Sequence, residues 1–287
     1  MNAKQCWVIA MAALISACAS SPTPEPSQPA KKVSTAQPSV QVVPKQLDMP
    51  GLDRKRTLRI YLPPGYHQGT ERFPVLYMHD GQNLFDDATS YVGEWGIDET
   101  MDALALSHGL RIIVVGIDNG GVKRMNELSP WPNARFGAAE GKQYMEFVVK
   151  TVKPYVDTNL RTRPEREHTA IMGSSMGGLI SHYAIHEYPQ VFSKAGIFSP
   201  SYWYAKEVFD FTRAHPLPAG SRSYLLMGGK EGPEATGDML KMAELMRSTG
   251  KDQALESVIV PSGEHNETFW RAEFPKAVLW LFGRDAK

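Results

Sequence analysis

Cysteine is nearly absent from the 287-residue chain, and the two that occur, Cys6 and Cys18, both lie close to its start. The domain that we expect to follow them therefore has no thiol. This excludes disulfide bonds, a cysteine-based metal site and a cysteine nucleophile. A single domain of roughly 240 residues is large enough to be stable through its hydrophobic core alone.

An excess of charge is also absent, because 31 Lys and Arg residues balance 31 Asp and Glu residues. No cluster of Lys and Arg stands out along the chain. Since nucleic-acid binding relies on a basic surface that neutralises phosphates, we expect no nucleic-acid partner.

The apolar run near the N-terminus, Trp7 to Ile15, is too short to span a bilayer as a helix. It follows Lys4 and is followed by small residues, which is the order of an export signal. We therefore predict a signal peptide over residues 1–17.

The end of that segment, ISAC (residues 15–18), resembles a bacterial lipobox, which implies cleavage before Cys18 and a lipid on its thiol. An ordinary signal peptide cut nearby is the alternative. Both interpretations predict export, with the lipid anchor holding the protein in the bacterial cell envelope. The residue after Cys18 is Ala19 and not Asp, which by analogy favours the periplasmic face of the outer membrane.

Residues 18–46 are rich in Pro, Ser, Thr, Gln and Ala and contain almost nothing to bury. This composition predicts a disordered, lipidated tether. The folded catalytic domain is predicted to cover residues 47–287.

Strands and helices alternate in the predicted secondary structure of that domain, which indicates a mostly parallel central sheet with helices on both faces. Strands are predicted at 57–62, 73–78, 111–117, 169–172, 194–198, 223–227 and 256–260, and helices at 94–107, 140–159, after 178, and at 206–213, 233–248 and 267–282.

A nucleophile elbow is predicted where the strand at 169–172 meets the sequence GSSMGG (residues 173–178). This Gly-x-Ser-x-Gly pattern between a strand and a helix places Ser175 on a sharp turn and requires Gly173 and Gly177 to lack side chains. A turn of no chemical interest is the alternative for such a short pattern. Together with the alternating elements, the elbow predicts an α/β-hydrolase fold.

The histidine partner follows from chain order, since this fold uses Ser, then Asp or Glu, then His. Beyond Ser175 the chain has four histidines. His182 and His186 lie on the helix of the elbow, and His215 precedes a proline in a loop. His265, in a loop between the last strand and the last helix, is therefore the predicted general base, with a packed or surface histidine as the alternative.

The acid should lie just after the strand at 223–227. Glu231 is the first choice and Asp238, a turn or more into the next helix, is the reserve. Either could instead be an ordinary surface carboxylate.

The oxyanion hole of this fold uses two backbone amides. One belongs to the residue after the nucleophile, Met176, and the other to the loop after the strand at 73–78, where Gln82 is the predicted donor. His79 and Asp80 in the same loop are expected to hold the loop in place.

Substrate contacts are predicted at the carboxyl ends of strands, where open α/β sheets bind ligands. Tyr202 and Trp203 could stack on a sugar or phenolic group, or be buried packing. Arg124 could bind a polar substrate or form an internal salt bridge. His182 and His186 could share a metal only with a third ligand, and we predict neither metal nor cofactor.

Several segments together resemble the esterase-D-type or "putative esterase" family of α/β-hydrolases. They are HDGQNLFD (79–86), VVGIDNG (114–120) with Arg124, GSSMGG, SPSYW (199–203) and the His265 loop with Trp270. The resemblance implies serine hydrolysis of a carboxylic ester, with Ser175, Glu231 and His265 as triad and Gln82 and Met176 as oxyanion amides. The chain lacks the extra N-terminal domain of cytoplasmic enterochelin esterases and the cysteine of many S-formylglutathione hydrolases.

The predicted function is hydrolysis of an acylated carbohydrate, feruloyl or siderophore ester through an acyl-enzyme. Acyl transfer to an alcohol by the same triad is the alternative. A non-catalytic envelope binding protein is a third interpretation, against which the intact serine and histidine argue.

Overall fold

The computed structural model describes residues 32–283, whose strands and helices alternate through most of the chain. The strands are β1 (Val40–Val42), β2 (Leu47–Met49), β3 (Arg54–Arg56), β4 (Leu58–Tyr61), β5 (Val75–His79), β6 (Ile113–Ile117), β7 (Thr169–Ser174), β8 (Lys194–Phe198), β9 (Arg222–Gly228) and β10 (Ala254–Val260). The helices are α1 (Ile97–His108), α2 (Arg124–Glu127), α3 (Gly141–Phe147), α4 (Lys153–Asn159), α5 (Met176–Glu187), α6 (Glu207–Ala214), α7 (Pro233–Thr249) and α8 (Glu267–Phe282).

Eight of these strands form one sheet, in the order β1-β4-β6-β5-β7-β8-β9-β10. The six strands from β6 to β10 along this order pair in parallel, and only β4 runs in the opposite direction, pairing antiparallel with β6 on one side and with β1 on the other. β2 and β3 form a separate antiparallel ribbon. The predicted mostly parallel sheet is thereby confirmed.

Side chains alternate between two hydrophobic cores, one on each face of the sheet. In β5, Val75 and Tyr77 join the core beneath α3 to α7, whereas Leu76 and Met78 join the core beneath α1 and α8. Both faces of the central strands are therefore covered, which explains why β5 and β6 are continuous apolar runs. The α/β-hydrolase fold predicted from the sequence is confirmed.

The helix predicted over 140–159 is not continuous, since a π-helical turn at Val148–Val152 separates α3 from α4. Lys153 donates its amide to the carbonyl of Val148, five residues back. Pro154, which follows, has no amide to continue the ordinary ladder. The wider turn accommodates the proline without ending the helix.

The predicted disordered tether extends too far along the chain. Val40–Val42 form the edge strand β1, which pairs with Arg59–Tyr61 of β4. The preceding residues are also fixed, because the amide of Gln37 donates to Asp98 at 2.8 Å and that of Thr35 to Asp86 at 3.1 Å. This segment has few apolar residues and could not fold by itself. It is ordered here because the free edge of the sheet and these two carboxylates supply the hydrogen-bond partners that its backbone needs.

The predicted signal peptide, Cys18 and the tether up to residue 31 lie outside the described residues. Within residues 32–283, no helix is both long and apolar enough to cross a membrane.

Candidate active site

The predicted site residues follow the carboxyl ends of adjacent parallel strands, because these ends all meet at one edge of the sheet. Asp80 follows β5, Ser175 follows β7, Glu231 follows β9 and His265 follows β10. Residues far apart in the sequence are therefore brought to one edge because these strands run in the same direction.

Ser175 occupies the turn between β7 and α5 with φ 60° and ψ −121°, a conformation that is unfavourable for a residue with a side chain. Neighbouring backbone holds it there. The Ser175 amide donates to the carbonyl of Phe198 at 2.9 Å, and the Ser175 carbonyl accepts from Ser201 at 3.1 Å. The strained strand, turn and helix of a nucleophile elbow are therefore present.

Glycines around the turn permit close contact between backbones. A Cβ at Gly173 would lie 2.8 Å from the carbonyl group of Gly177, so the expected requirement for glycine holds there. The tightest position is Gly178, where a Cβ would lie 2.6 Å from the carbonyl oxygen of Phe198. At Gly177 itself the nearest atom is the Cβ of His79 at 3.3 Å, a milder contact.

The two predicted oxyanion amides both belong to first turns of helices. Met176 begins α5, and Gln82 lies in a short 3-10 turn formed by Gly81–Asn83. Amides in such positions have no acceptor within their own helix and can donate to a ligand. The side-chain carbonyl of Gln82 accepts from the amide of Asn119 at 3.0 Å, which holds this turn against the end of β6.

His265 and Glu231 are in direct contact at the site. Their atoms Nδ1 and Oε2 are 2.6 Å apart, and the Glu231 side chain is only 5% exposed. Burial raises the pKa of the Glu231 carboxyl, but hydrogen bonds from His265, Ser199 and the Gly228 amide outweigh this and hold it below its usual value. Glu231 is therefore an acceptor, which makes Nδ1 of His265 the donor and leaves Nε2 as the free ring nitrogen.

The loops that carry Glu231 and His265 are joined through their backbones. The Lys230 amide donates to the carbonyl of Gly263 at 3.0 Å. A Cβ at Gly228 would lie 2.5 Å from the same carbonyl group, so only glycine allows this approach. The position of Glu231 relative to His265 is therefore fixed by main chain and not only by their side chains.

Asp238, the reserve acid, lies on α7 and its carboxylate is bonded to Lys206. The geometry favours the first choice of acid over the reserve, because the carboxylate bonded to His265 is that of Glu231. The physical reason is that Glu231 lies in the turn directly after β9, whereas Asp238 is carried away from the sheet edge along the helix.

Two residues to which sequence reasoning assigned no role, Ser199 and Trp270, complete the hydrogen bonding around the Glu231 carboxylate. Trp270 donates its indole N–H to Ser199 Oγ at 2.9 Å, and Ser199 donates its hydroxyl to Glu231 Oε1 at 2.5 Å. The ring of Trp270 also contacts His265 edge to face, with centroids 5.0 Å apart. Both residues occur in the segments that carried the family resemblance, which was the available signal.

Asp80 and Arg124 form a bidentate ion pair beside the oxyanion turn. Arg124 Nε and Nη2 lie 2.6 and 2.9 Å from the two carboxylate oxygens, and Asn119 donates to Asp80 at 2.7 Å. Burial raises the pKa of the Asp80 carboxyl, but the opposite effect of Arg124 and Asn119 is larger, so the net pKa is below its usual value. Of the two alternatives for Arg124, the internal salt bridge is present, and Asp80 holds its loop as predicted.

His79 lies beneath the elbow helix and is buried. Its Nδ1 is 2.7 Å from the hydroxyl of Tyr144, and burial lowers the pKa of His79 to about 4. The imidazole is therefore neutral near neutral pH, in keeping with a structural role in the loop.

Ser175 and His265 line the same cavity, whose volume is about 870 Å³. Gln82 and Arg124 line it too. Ser175 Oγ contacts Ser201 Oγ at 3.3 Å, and no hydrogen bond joins it to His265 among the described residues. Catalytic hydrogen bonds are often longer in a ligand-free site and shorten when substrate binds.

The mouth of this cavity is apolar and exposed. Tyr91, Val92 and Val122 line it, and all three are among the most exposed large hydrophobic residues of the described chain. Sequence reasoning missed them because they lie in loops without a motif. They give the cavity an exposed apolar rim.

Tyr202 does not line this cavity, contrary to its prediction as a substrate contact. Its ring is 1% exposed in the core, and its hydroxyl lies 3.0 Å from His182 Nδ1. The alternative, buried packing, is therefore correct for Tyr202. Trp203 is 52% exposed and lines a separate, smaller cavity of about 180 Å³.

His182 and His186 stack on each other on α5 and are bonded within the protein. His182 Nε2 lies 2.7 Å from Thr212 Oγ1, and His186 Nδ1 lies 2.6 Å from the carbonyl of His215. Within residues 32–283, no group of three or more His, Cys, Asp or Glu side chains is arranged to hold a metal ion.

A mostly parallel sheet with an elbow serine, and with an acid–histidine pair at its carboxyl edge, defines an α/β-hydrolase. The chain belongs to the family described as "Putative esterase", whose model matches residues 50–281, and it is a carboxylic ester hydrolase. The resemblance inferred from the sequence motifs is thereby confirmed.

Two individual relatives share only about a quarter of their aligned residues with this chain. The chain is 27% identical over 245 residues to "Uncharacterized protein YbbA" of Bacillus subtilis, covering 80% of this chain and 94% of that protein. It is 24% identical over 233 residues to an "Endo-1,4-beta-xylanase/feruloyl esterase" of Xylanibacter ruminicola, covering 80% of this chain but only 30% of the relative.

Solved structures share the fold. The enterobactin esterase FES from Shigella flexneri, solved with enterobactin, superposes with a TM-score of 0.69 at 18% identity over 87% of this chain and 61% of that one. An IroE-like serine hydrolase from Shewanella oneidensis gives a TM-score of 0.68 at 19% identity over 84% of this chain and 80% of that one.

Proposed function

We propose that the chain is a serine esterase in which Ser175, His265 and Glu231 form the triad. The observation that carries the proposal is the 2.6 Å contact between Glu231 and His265 in a cavity that Ser175 also lines. A buried, ionised carboxylate on Nδ1 leaves Nε2 of the imidazole free to take the serine proton.

In the first half of the proposed reaction, Ser175 Oγ attacks the ester carbonyl while His265 takes its proton. The carbonyl oxygen becomes an oxyanion between the amides of Gln82 and Met176, each worth roughly 3 kcal/mol of transition-state stabilisation. His265 then returns the proton to the departing alcohol. The product of this half is an acyl-enzyme on Ser175.

In the second half, His265 removes a proton from water, which attacks the acyl-enzyme at the same carbonyl carbon. The oxyanion again lies between the two amides. Collapse releases the acid and restores the serine hydroxyl with the proton held by His265. The proposed reaction steps need no metal or cofactor.

The proposed substrates are acylated or feruloylated carbohydrates and siderophore esters. Support comes from relatives whose names include feruloyl esterase and siderophore enterobactin esterase. The apolar rim of Tyr91, Val92 and Val122 suits an aromatic group at the cavity mouth.

A fluorophosphonate probe tests the nucleophile, because it labels a serine only when a base activates it. The probe should label the wild type and the neighbouring variant Ser174→Ala but not Ser175→Ala. Labelling of Ser175→Ala at the wild-type level would refute the triad. Hydrolysis of p-nitrophenyl acetate should follow the labelling.

The proposed location is the periplasmic face of an outer membrane, through a lipid on Cys18. Support comes from the order of Lys4, the apolar run and ISAC before the predicted cleavage point. Metabolic labelling with palmitate should mark the wild type and not Cys18→Ala. Equal labelling of the two would contradict the lipid anchor.

A further inference from the structure

Glu267 is a buried carboxylate without a side-chain partner. It is the first residue of α8, directly after Asn266, whose side chain accepts from the Phe269 amide at 3.0 Å. Glu267 is only 9% exposed, and among residues 32–283 no other side chain is hydrogen-bonded or ion-paired to it. It nevertheless lines the cavity that contains Ser175 and His265.

Arg124 lines the same cavity and keeps one nitrogen unused. Its Nε and Nη2 are both occupied by Asp80, whereas Nη1 has no acceptor among the described residues. Glu267 and Arg124 are not in direct contact, although each affects the charge of the other. A carboxylate without a side-chain partner and a guanidinium nitrogen without an acceptor among the described residues thus border one cavity beside the proposed nucleophile.

Charge decides which ligand group suits this arrangement. A carboxylate in the cavity would be repelled by Glu267, while Asp80 already neutralises Arg124. An ammonium group could pair with Glu267 but has no lone pair to accept a hydrogen bond from Nη1 of Arg124. A hydroxyl is neutral and can donate to Glu267 and accept from Arg124 at the same time.

We infer that Glu267 and Nη1 of Arg124 form a subsite for a hydroxyl group of the ester substrate, placed beside the ester bond. This inference rests on the proposed serine-esterase function. This position is unfavourable for an ionised carboxylate, because burial and the nearby Asp80 raise the pKa of Glu267. A substrate hydroxyl supplies the hydrogen bonds that no side chain of the described residues supplies to this carboxylate and this nitrogen.

Two pairs of esters distinguish the part of the substrate that carries the hydroxyl. Methyl coumarate against methyl cinnamate tests a hydroxyl on the acyl group. Hydroxyethyl acetate against ethyl acetate tests a hydroxyl on the alcohol. The wild type should show a higher kcat/KM for the hydroxylated member of at least one pair, by roughly 10- to 100-fold, the range for a hydrogen bond to a charged group.

Variants at Glu267 connect this preference to the subsite. Glu267→Met has similar length but no acceptor, so it should abolish the preference and retain hydrolysis of the ester without the hydroxyl. Glu267→Gln keeps a neutral acceptor and should retain part of the preference. Glu273→Gln is the matched control on the same helix, since Glu273 is also buried but is bonded to Lys276 outside the cavity.

The inference is overturned if the wild type shows no preference in either pair, or if Glu267→Met keeps the full preference. Both results leave the proposed function intact, because the enzyme still hydrolyses esters. Failure of the proposed function has a different signature, since the wild type would then hydrolyse none of the four esters and would not react with the fluorophosphonate probe.

Discussion

Replacing Glu231 with glutamine should disable His265 by changing which of its ring nitrogens carries the proton. Oε1 of Glu231 accepts from both Ser199 Oγ and the Gly228 amide, at 2.5 and 2.8 Å. In a glutamine variant, two donors at this position require the amide oxygen there. The amide NH2 group must then face Nδ1 of His265.

A donor facing Nδ1 makes that nitrogen an acceptor and moves the ring proton to Nε2, the atom that should take the proton of Ser175. The same carboxylate-to-amide change in a trypsin-type protease lowers kcat by about 10⁴-fold for this reason. We expect a loss of roughly 10³- to 10⁴-fold here, because the contact is equally direct. The fold should be retained, since the side chains are isosteric.

The assay is steady-state hydrolysis of p-nitrophenyl acetate, with the fold of each variant checked by circular dichroism. Glu264→Gln is the matched control, because Glu264 adjoins His265 but is exposed and paired with Lys230. It should lose little activity. Asp238→Asn should also retain most activity.

Two results would refute this reasoning. A kcat of Glu231→Gln within tenfold of the wild type would mean that the carboxylate does not set the tautomer of His265. A greater loss in Asp238→Asn than in Glu231→Gln would move the acid to α7, against the 2.6 Å contact.

A chain that begins at residue 47 lacks β1 and the buried Val43. Burial of the Val43 side chain stabilises the fold by about 2 kcal/mol. The melting temperature of this shorter chain by circular dichroism should therefore be roughly 4–8 °C below that of a chain beginning at residue 32, and equal values would contradict a stabilising edge strand. Burial raises the pKa of the Asp98 carboxyl in the folded protein above its value in the unfolded chain. The folded protein therefore loses stability as the pH rises and Asp98 ionises. Asp98→Asn removes this loss and should raise the melting temperature at about pH 8. The difference should shrink towards about pH 4, and a gain that is independent of pH would exclude this cause.

The order of elements and the identity of the elbow could be predicted from local sequence, because both depend on short-range physics. Continuous apolar runs mark strands buried on both faces, as at β5 and β6. The glycines around Ser175 record backbone contacts that only glycine allows. The bounds of β8 and α8 agree with the prediction to the residue.

Long-range contacts were decided only by the tertiary structure. The sequence ranked Glu231 above Asp238 without deciding between them, whereas in the structure the backbone contact of Lys230 with Gly263 holds Glu231 beside His265. Tyr202 follows a strand end, as a substrate contact would, but its side chain points into the core. The direction of the Tyr202 side chain cannot be read from the sequence, because it depends on packing against α5 and α6.

Chain order and local pattern thus determined the class of fold and the position of Ser175, since neither requires knowledge of what lies across the sheet. The contact between Glu231 and His265, the ordered strand β1 and the position of Glu267 in the cavity were decided by contacts between segments tens to hundreds of residues apart. Such contacts depend on strand order and loop geometry, and these are fixed only when the whole sheet has assembled.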